Sequence, residues 1–229
     1  MLHIPKSNPG NFFEDFEVGQ RLVHATPRTV TSGDVSLYTG LYGGRFALAS
    51  SDAFAQKLGY PAAPVDDLLV FHVVFGKSVP DVSLNAVANL GYADCRFLLP
   101  VYPGDTLSSS STVIGLKQNS NGKTGVVYVR TEGRNQRDEV VLTFARWVMV
   151  RKRGEEAPAP EEVTPDLPKV VAPSALVAAP AIPEKAYDVA ASGGPAYWED
   201  YSIGERIDHV DGMTIEDAEH MLATRLYQN

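Results

Sequence analysis

The chain has 229 residues, 44% of them hydrophobic and 21% charged, with a formal net charge of −8, the balance of an ordinary globular protein rather than a fibrous or wholly disordered one. A net acidic chain without a clustered basic face is a poor partner for nucleic acid, and with no 18-residue apolar run and no apolar leader-like N-terminus, neither a membrane span nor a secretory signal is expected. Cys95 stands alone, so no intramolecular disulfide and no cysteine-based metal site can form, and a cytoplasmic setting is expected.

Taken in chain order, Thr31 and Asp34 have capping-box spacing and predict a helix over Thr31 to Tyr42; a second short helix is predicted from Ser51 to Leu58, ended by Gly59. The segment Asp66 to Lys77 (DDLLVFHVVFGK) begins with two aspartates and is apolar on nearly every side, which predicts a buried helix. Asp105 to Gln118, Thr124 to Gln136 and Glu139 to Lys152 are rich in β-branched and aromatic residues and predict long strands. Asn121-Gly122 supplies positive φ in the first connection and Arg137-Asp138 makes the second, giving an antiparallel meander. A wide, twisted sheet of such strands needs a long element on its concave face. The fold predicted is therefore α+β of the hotdog type, a long antiparallel sheet wrapped around a central apolar helix over residues 1–153.

The basic run Arg151-Lys152-Arg153 reads as a solvated strand end, with contact to an anionic ligand as the alternative. Eight of the sixteen prolines lie between Gly154 and Pro195, and this composition predicts an extended linker over 154–196, draped on the surface.

Self-similarity follows the linker. Phe12 to Gly44 and Tyr197 to Asn229 align without a gap at a constant offset of 185, with ten identities in 33 positions, among them Asp15/Asp200, Gly19/Gly204, His24/His209 and Tyr42/Tyr227. The second copy predicts the start of a second hotdog module over 197–229, with its own capping spacing at Thr214 and Asp217. A lone strand and helix leave an apolar face uncovered, so the rest of that module, or another chain supplying it, is expected as a partner.

The phrase Phe97-Leu98-Leu99-Pro100-Val101-Tyr102-Pro103-Gly104-Asp105 resembles the strand-turn-strand signature of the MaoC-like hydratases. The wording NPGNFFEDFEVGQ (8–20), FHVVFGKSVPDVSLNAVANLGYA (71–93), RWVMVRKR (146–153) and IDHVDGMTIEDAEHMLATRLYQN (207–229) is similar, within them, to the mesaconyl-CoA hydratase family. That resemblance spans essentially the whole chain and implies a double hotdog, reversible hydration of mesaconyl-CoA to β-methylmalyl-CoA, a homo-oligomer, and no metal or redox cofactor, coenzyme A being part of the substrate. Hydration of an enoyl thioester needs a base for water at the β-carbon, an acid for the α-carbon and donors for the thioester oxygen. The resemblance implies that an Asp or Asn, and a His five residues later at the end of a module's first helix, do the proton work. Asn229 takes the first position, and the His is expected beyond it. The first copy carries Gly44 and Ala49 there, implying a catalytically silent module, so residues 1–229 alone are expected to show no hydration. Other acyl-CoA hydratases of R-specific type, and a non-catalytic acyl-CoA-binding subunit, stay open as alternatives.

A carboxylated substrate calls for a cation, preferably an arginine fork; Arg45 and Arg96 are the first candidates, with Lys77 and Arg146 behind them. Asn85, Asn89 and Tyr92 are candidates for a pantetheine path, a self-satisfied loop being the plainer reading. His72 reads as a core residue, His24 and His209 as a repeated structural contact, and His220 with Glu216 as a surface helix pair.

Overall fold

The structure is a computed structural model that describes residues 7–175, 183, 186–194, 196–210 and 212–229. After a 3-10 turn at Phe13–Asp15, the chain forms β1 (Arg21–Thr29), α1 (Ser32–Tyr42), the short α2 (Ala47–Ser50) and α3 (Asp52–Lys57), and then α4 (Asp67–Ser78). Four strands follow, β2 (Ala86–Phe97), β3 (Thr106–Gln118), β4 (Thr124–Arg134) and β5 (Val140–Arg151). They assemble with β1 into one five-stranded antiparallel sheet of order β1-β3-β4-β5-β2. α4 crosses the concave face, and its Leu69, Val70, Val73 and Val74 share a core with Leu107, Leu142 and Phe144. This is the predicted hotdog arrangement.

The predicted helices and the three-strand meander stand within a few residues of their expected bounds. β2 differs, because Asn89 and Tyr92 lie on an edge strand rather than in a loop. Asn85 precedes that strand and donates Nδ2 to Pro9 O (3.0 Å) and Asn11 O (3.2 Å), which ties down the N-terminal segment. The Pro103-Gly104-Asp105 phrase is a turn held by Asp105, whose Oδ2 accepts from Tyr102 N at 2.8 Å.

In the basic run Arg151 and Arg153 are exposed, as a solvated strand end predicts, and Lys152 departs from that reading. Lys152 is buried and donates Nζ to Gln118 Oε1 (2.9 Å) and Ala157 O (2.7 Å), and Arg153 forks onto both oxygens of Asp15 at 2.6 Å. Beyond β5, Val163 exchanges backbone hydrogen bonds with Leu116 at 2.8 Å, and the only other elements described before residue 197 are a 3-10 turn at Pro173–Ala175 and α5 (Val189–Ser192). Residues 176–182, 184–185 and 195 of the predicted linker lie outside the described residues.

The repeat is visible in three dimensions. The 3-10 turn at Trp198–Asp200 and the helix α6 (Asp217–Tyr227) fall 185 residues after their counterparts, and Asp200 accepts from Tyr197 N (2.7 Å) as Asp15 does from Phe12 N (2.8 Å). α6 starts without the expected Thr214–Asp217 cap: its N-cap is Glu216, with no side-chain cap bond. The counterpart of β1 forms no strand, because no strand among the described residues lies beside it to complete a ladder.

His24 shows what a completed copy looks like. Buried on β1, its Nδ1 lies 2.8 Å from Asp81 Oδ2 and its Nε2 2.7 Å from Ser111 Oγ, whereas His209 is exposed. Burial holds the His24 pKa below its ordinary 6.5, and Asp81 opposes this only in part. The unfolded imidazole therefore binds a proton at higher pH than the folded one, so stability present above 6.5 declines as pH falls below it. The expected result is a lower denaturant midpoint at about pH 5.5 than at about pH 7.5, with a smaller shift in His24→Asn. A shift unchanged by that substitution would show that His24 carries none of the linkage.

Candidate active site

The two hydratase-motif positions sit at the ends of α1 and α6, in different surroundings. Gly44 and Ala49 line a small cleft with Tyr38, Asp66 and Leu69 at the start of α4, and Ala49 and Asp66 also border a cavity of about 330 Å³ walled by Tyr60, Asp67 and Leu99. Asp66 Oδ1 accepts from Leu68 N at 2.8 Å, so its own carboxylate already occupies a helix-start donor that could have held a thioester oxygen. Burial raises the Asp67 carboxyl, with Asp66 adding to the effect, and pushes the Tyr38 phenol up to about 12. Apolar side chains make most of the lining at this end, with the carboxyls of Asp66 and Asp67 and the phenols of Tyr38 and Tyr60 among them, and no imidazole is among the lining residues.

At the other end, α6 packs on α1 and α4, burying Ala223, Leu226 and Tyr227 in the main core. The Tyr227 ring stacks on His72 with centroids 4.2 Å apart, and its hydroxyl lies 2.6 Å from that of Tyr42. Burial lowers the His72 pKa and raises that of Tyr227. Gln228 closes α6 in the left-handed conformation (φ 56°), and Asn229 N donates to Thr224 O at 3.1 Å. This seating requires a glycine at 76: a Cβ there would collide with the Tyr227 carbonyl oxygen and lie 3.5 Å from Asn229 N. Two cations of the first copy stand at the seam. Arg28 donates Nη1 to Leu226 O, and Lys77, buried and held down to about 8 by desolvation with Arg28 nearby, donates Nζ to Thr26 O.

The profile describing mesaconyl-CoA hydratases matches residues 4–188. The chain belongs to the mesaconyl-CoA hydratase family. It is 65% identical over 224 residues to the beta-methylmalyl-CoA dehydratase of Chloroflexus aurantiacus (98% of this chain, 64% of that protein) and 59% identical over 224 residues to the mesaconyl-CoA hydratase of Cereibacter sphaeroides (98% and 65%). The chain thus spans just under two thirds of the length of these relatives. A solved MaoC domain protein dehydratase from Chloroflexus aurantiacus superposes with TM-score 0.95 at 65% identity, covering 99% of this chain and 64% of that one. A Mycobacterium tuberculosis protein with a double hotdog fold superposes with TM-score 0.58 at 28% identity, covering 76% and 52%.

Of the residues singled out in the sequence, Asn229 lies at the α4–α6 seam, where His72 and Lys77 also stand. Arg96, on β2, bonds Asp94 Oδ1 at 2.8 Å, and Arg130 takes the other oxygen at 2.9 Å. Arg45 is exposed between α1 and α2. Tyr92 packs its ring against Phe71 (5.5 Å between centroids), and Asn89 is exposed on the same strand. Arg146 is fully buried, with Nη2 2.8 Å from Ser78 Oγ, the guanidinium 4.5 Å above the Phe75 ring, and Nε without a partner among the described residues; desolvation lowers it to about 10. Sequence reasoning missed Arg28 altogether. Its one signal was an asymmetry, because residue 28 is Arg where its repeat counterpart, residue 213, is Met.

Proposed function

We propose that this chain serves the reversible hydration of mesaconyl-CoA to β-methylmalyl-CoA, a hydro-lyase reaction. The observation that carries the reading is 65% identity, over 98% of the chain, to a protein named for the reverse of this reaction. In this reading the thioester is held with its β-carbon, which bears the substrate carboxylate, facing a water oriented by the Asn229 amide. Hydroxide equivalents add at the β-carbon and a proton adds at the α-carbon. An amide is no base at neutral pH, so the proton work falls to the His that the family resemblance places five positions after Asn229, outside this sequence. The Gly44–Ala49 end, lined without an imidazole, contributes no chemistry. Coenzyme A enters with the substrate, and no further cofactor takes part.

The test is steady-state hydration of mesaconyl-CoA by the complete protein, with crotonyl-CoA as an uncarboxylated comparison. Activity on unbranched enoyl thioesters only, or none, would overturn the assignment. Because Asp94 already engages Arg96, Arg96→Met is expected to change kcat/KM for the two thioesters in the same proportion, within about twofold. A selective loss of about thirty-fold on mesaconyl-CoA would instead make Arg96 the carboxylate reader.

A further inference from the structure

Tyr42 and Tyr227 are repeat counterparts, and their hydroxyls touch at 2.6 Å. Contact between two equivalent hydroxyls is what a local twofold axis passing between the ends of α1 and α6 would produce. About that axis, each contact made by one copy should recur with the roles exchanged. Within each copy the local backbone repeats: Gly19 and Gly204 share φ near +85° (87° and 84°), and the caps Gly43 and Gln228 are both left-handed (60° and 56°). The contact of Arg28 does not recur in this way. On one side Arg28 bridges Asp34 (Nη2 to Oδ1, 2.5 Å) and the carbonyl of Leu226 in the last turn of α6. On the other side its counterpart is Met213, whose Cε approaches Gly43 and lines an apolar cleft with Leu41, Tyr42 and Glu219, the counterpart of Asp34. The charged clamp is thus present at the helix end that leads to Asn229, and a thioether replaces it at the end that leads to Gly44.

We infer that Arg28 is a positioning residue for Asn229, an inference that rests on the hydratase reading above. The last carbonyls of a helix lack intrahelical partners, and a guanidinium there makes a charge-assisted bond that the helix dipole also favours. Leu226 lies three residues before Asn229, and only the left-handed Gln228 separates the end of α6 from Asn229. Fixing the Leu226 carbonyl therefore fixes the direction in which Asn229 leaves the helix. Asp34, which also accepts from Thr31 N at 2.8 Å, holds the guanidinium in turn and ties the clamp to the start of α1.

The experiment is steady-state kinetics of the complete enzyme on mesaconyl-CoA and crotonyl-CoA, with unfolding midpoints to establish that each variant folds. Arg28→Met is expected to lower kcat about 10- to 100-fold on both thioesters, as a small misplacement does, with KM changing less than about threefold. Arg28→Lys should recover part of the loss, and Met213→Leu should match wild type. In a double-mutant cycle, Arg28→Met should add little to Asn229→Ala, because a residue acting through another has nothing left to act on. If Arg28→Met fails to fold, Asp34→Asn removes the support of the guanidinium and should reproduce the kcat loss. An unchanged kcat, or full additivity with Asn229→Ala, overturns the inference. A KM rise confined to mesaconyl-CoA also overturns it, since the arginine would then be reading the carboxylate. Wild-type enzyme inactive on both thioesters removes the hydratase reading and the inference with it; an active wild type matched by Arg28→Met removes the inference alone.

Discussion

Truncating Phe13 to alanine is expected to cost about 3–5 kcal/mol of folding stability, the usual result of emptying a buried aromatic site. Its ring is fully buried against Gly125 of β4, in a cluster with Phe16, Val82, Val127 and Val148. A side chain at 125 would collide with that ring, so the site is shaped for Phe13 and cannot collapse readily when it is removed. The repeat supplies the control. Trp198 occupies the counterpart position, at the start of a 3-10 turn with the same aspartate cap, yet it is 89% exposed. Trp198→Ala in the same 229-residue chain should therefore change stability by about 0.5 kcal/mol or less. Denaturant unfolding of both variants measures the difference. Similar costs for the two would mean that the second copy already has a packed surface over it, contrary to the exposure of Trp198, Ile203 and Ile215.

The contrast between the copies also marks what could be read from the sequence. Local signals were legible: the Thr31–Asp34 capping box, the apolar α4 and the alternating β3 to β5 each announce themselves within a dozen residues. The fold class followed because long strands and one all-apolar helix have few ways to cover each other. β2 was harder to read, because Asn89, Gly91 and Asp94 disfavour strands and the ladder with β5 breaks register three times. Tertiary packing overrides that local preference: Gly91 is the place where the Trp147 indole lies against the backbone. In the second copy the situation reverses. Residues matching β1 in sequence form no strand without a ladder beside them. At the candidate site Asn229 could be singled out from the repeat and the resemblance, but its surroundings could not be read, since the Arg28 bond to Leu226 spans 198 residues and no local pattern encodes it. Lys152 and Arg146 show a further limit, for a charge written at a strand end or in a strand does not reveal whether it faces water.

Gly76 provides the sharpest test of how α6 is seated, because two effects of known sign compete there. In an isolated helix, Gly→Ala is stabilising by about 1 kcal/mol through propensity alone. In the intact chain the new Cβ meets the Tyr227 carbonyl, a backbone atom one residue beyond the carbonyl that Arg28 holds, with the Leu226 and Tyr227 side chains buried around it. Relief requires α6 to lift from α4, which unstacks Tyr227 from His72 and exposes side chains whose burial is worth about 1.5–3 kcal/mol each. The collision therefore outweighs propensity, and Gly76→Ala should destabilise the 229-residue chain by about 1–3 kcal/mol, with Gly76→Val worse. The same alanine in a chain ending at residue 196, where no α6 lies against α4, should instead stabilise by up to about 1 kcal/mol. Limited proteolysis should cut between 197 and 216 faster in the 229-residue Gly76→Ala chain than in the unsubstituted chain of the same length. On the proposed hydratase reading, displacing the helix that carries Asn229 should lower kcat of the complete protein on mesaconyl-CoA about 100-fold. Stabilisation of both lengths by the same amount would contradict the contact, and Asn229 would then have to be placed by something other than α4.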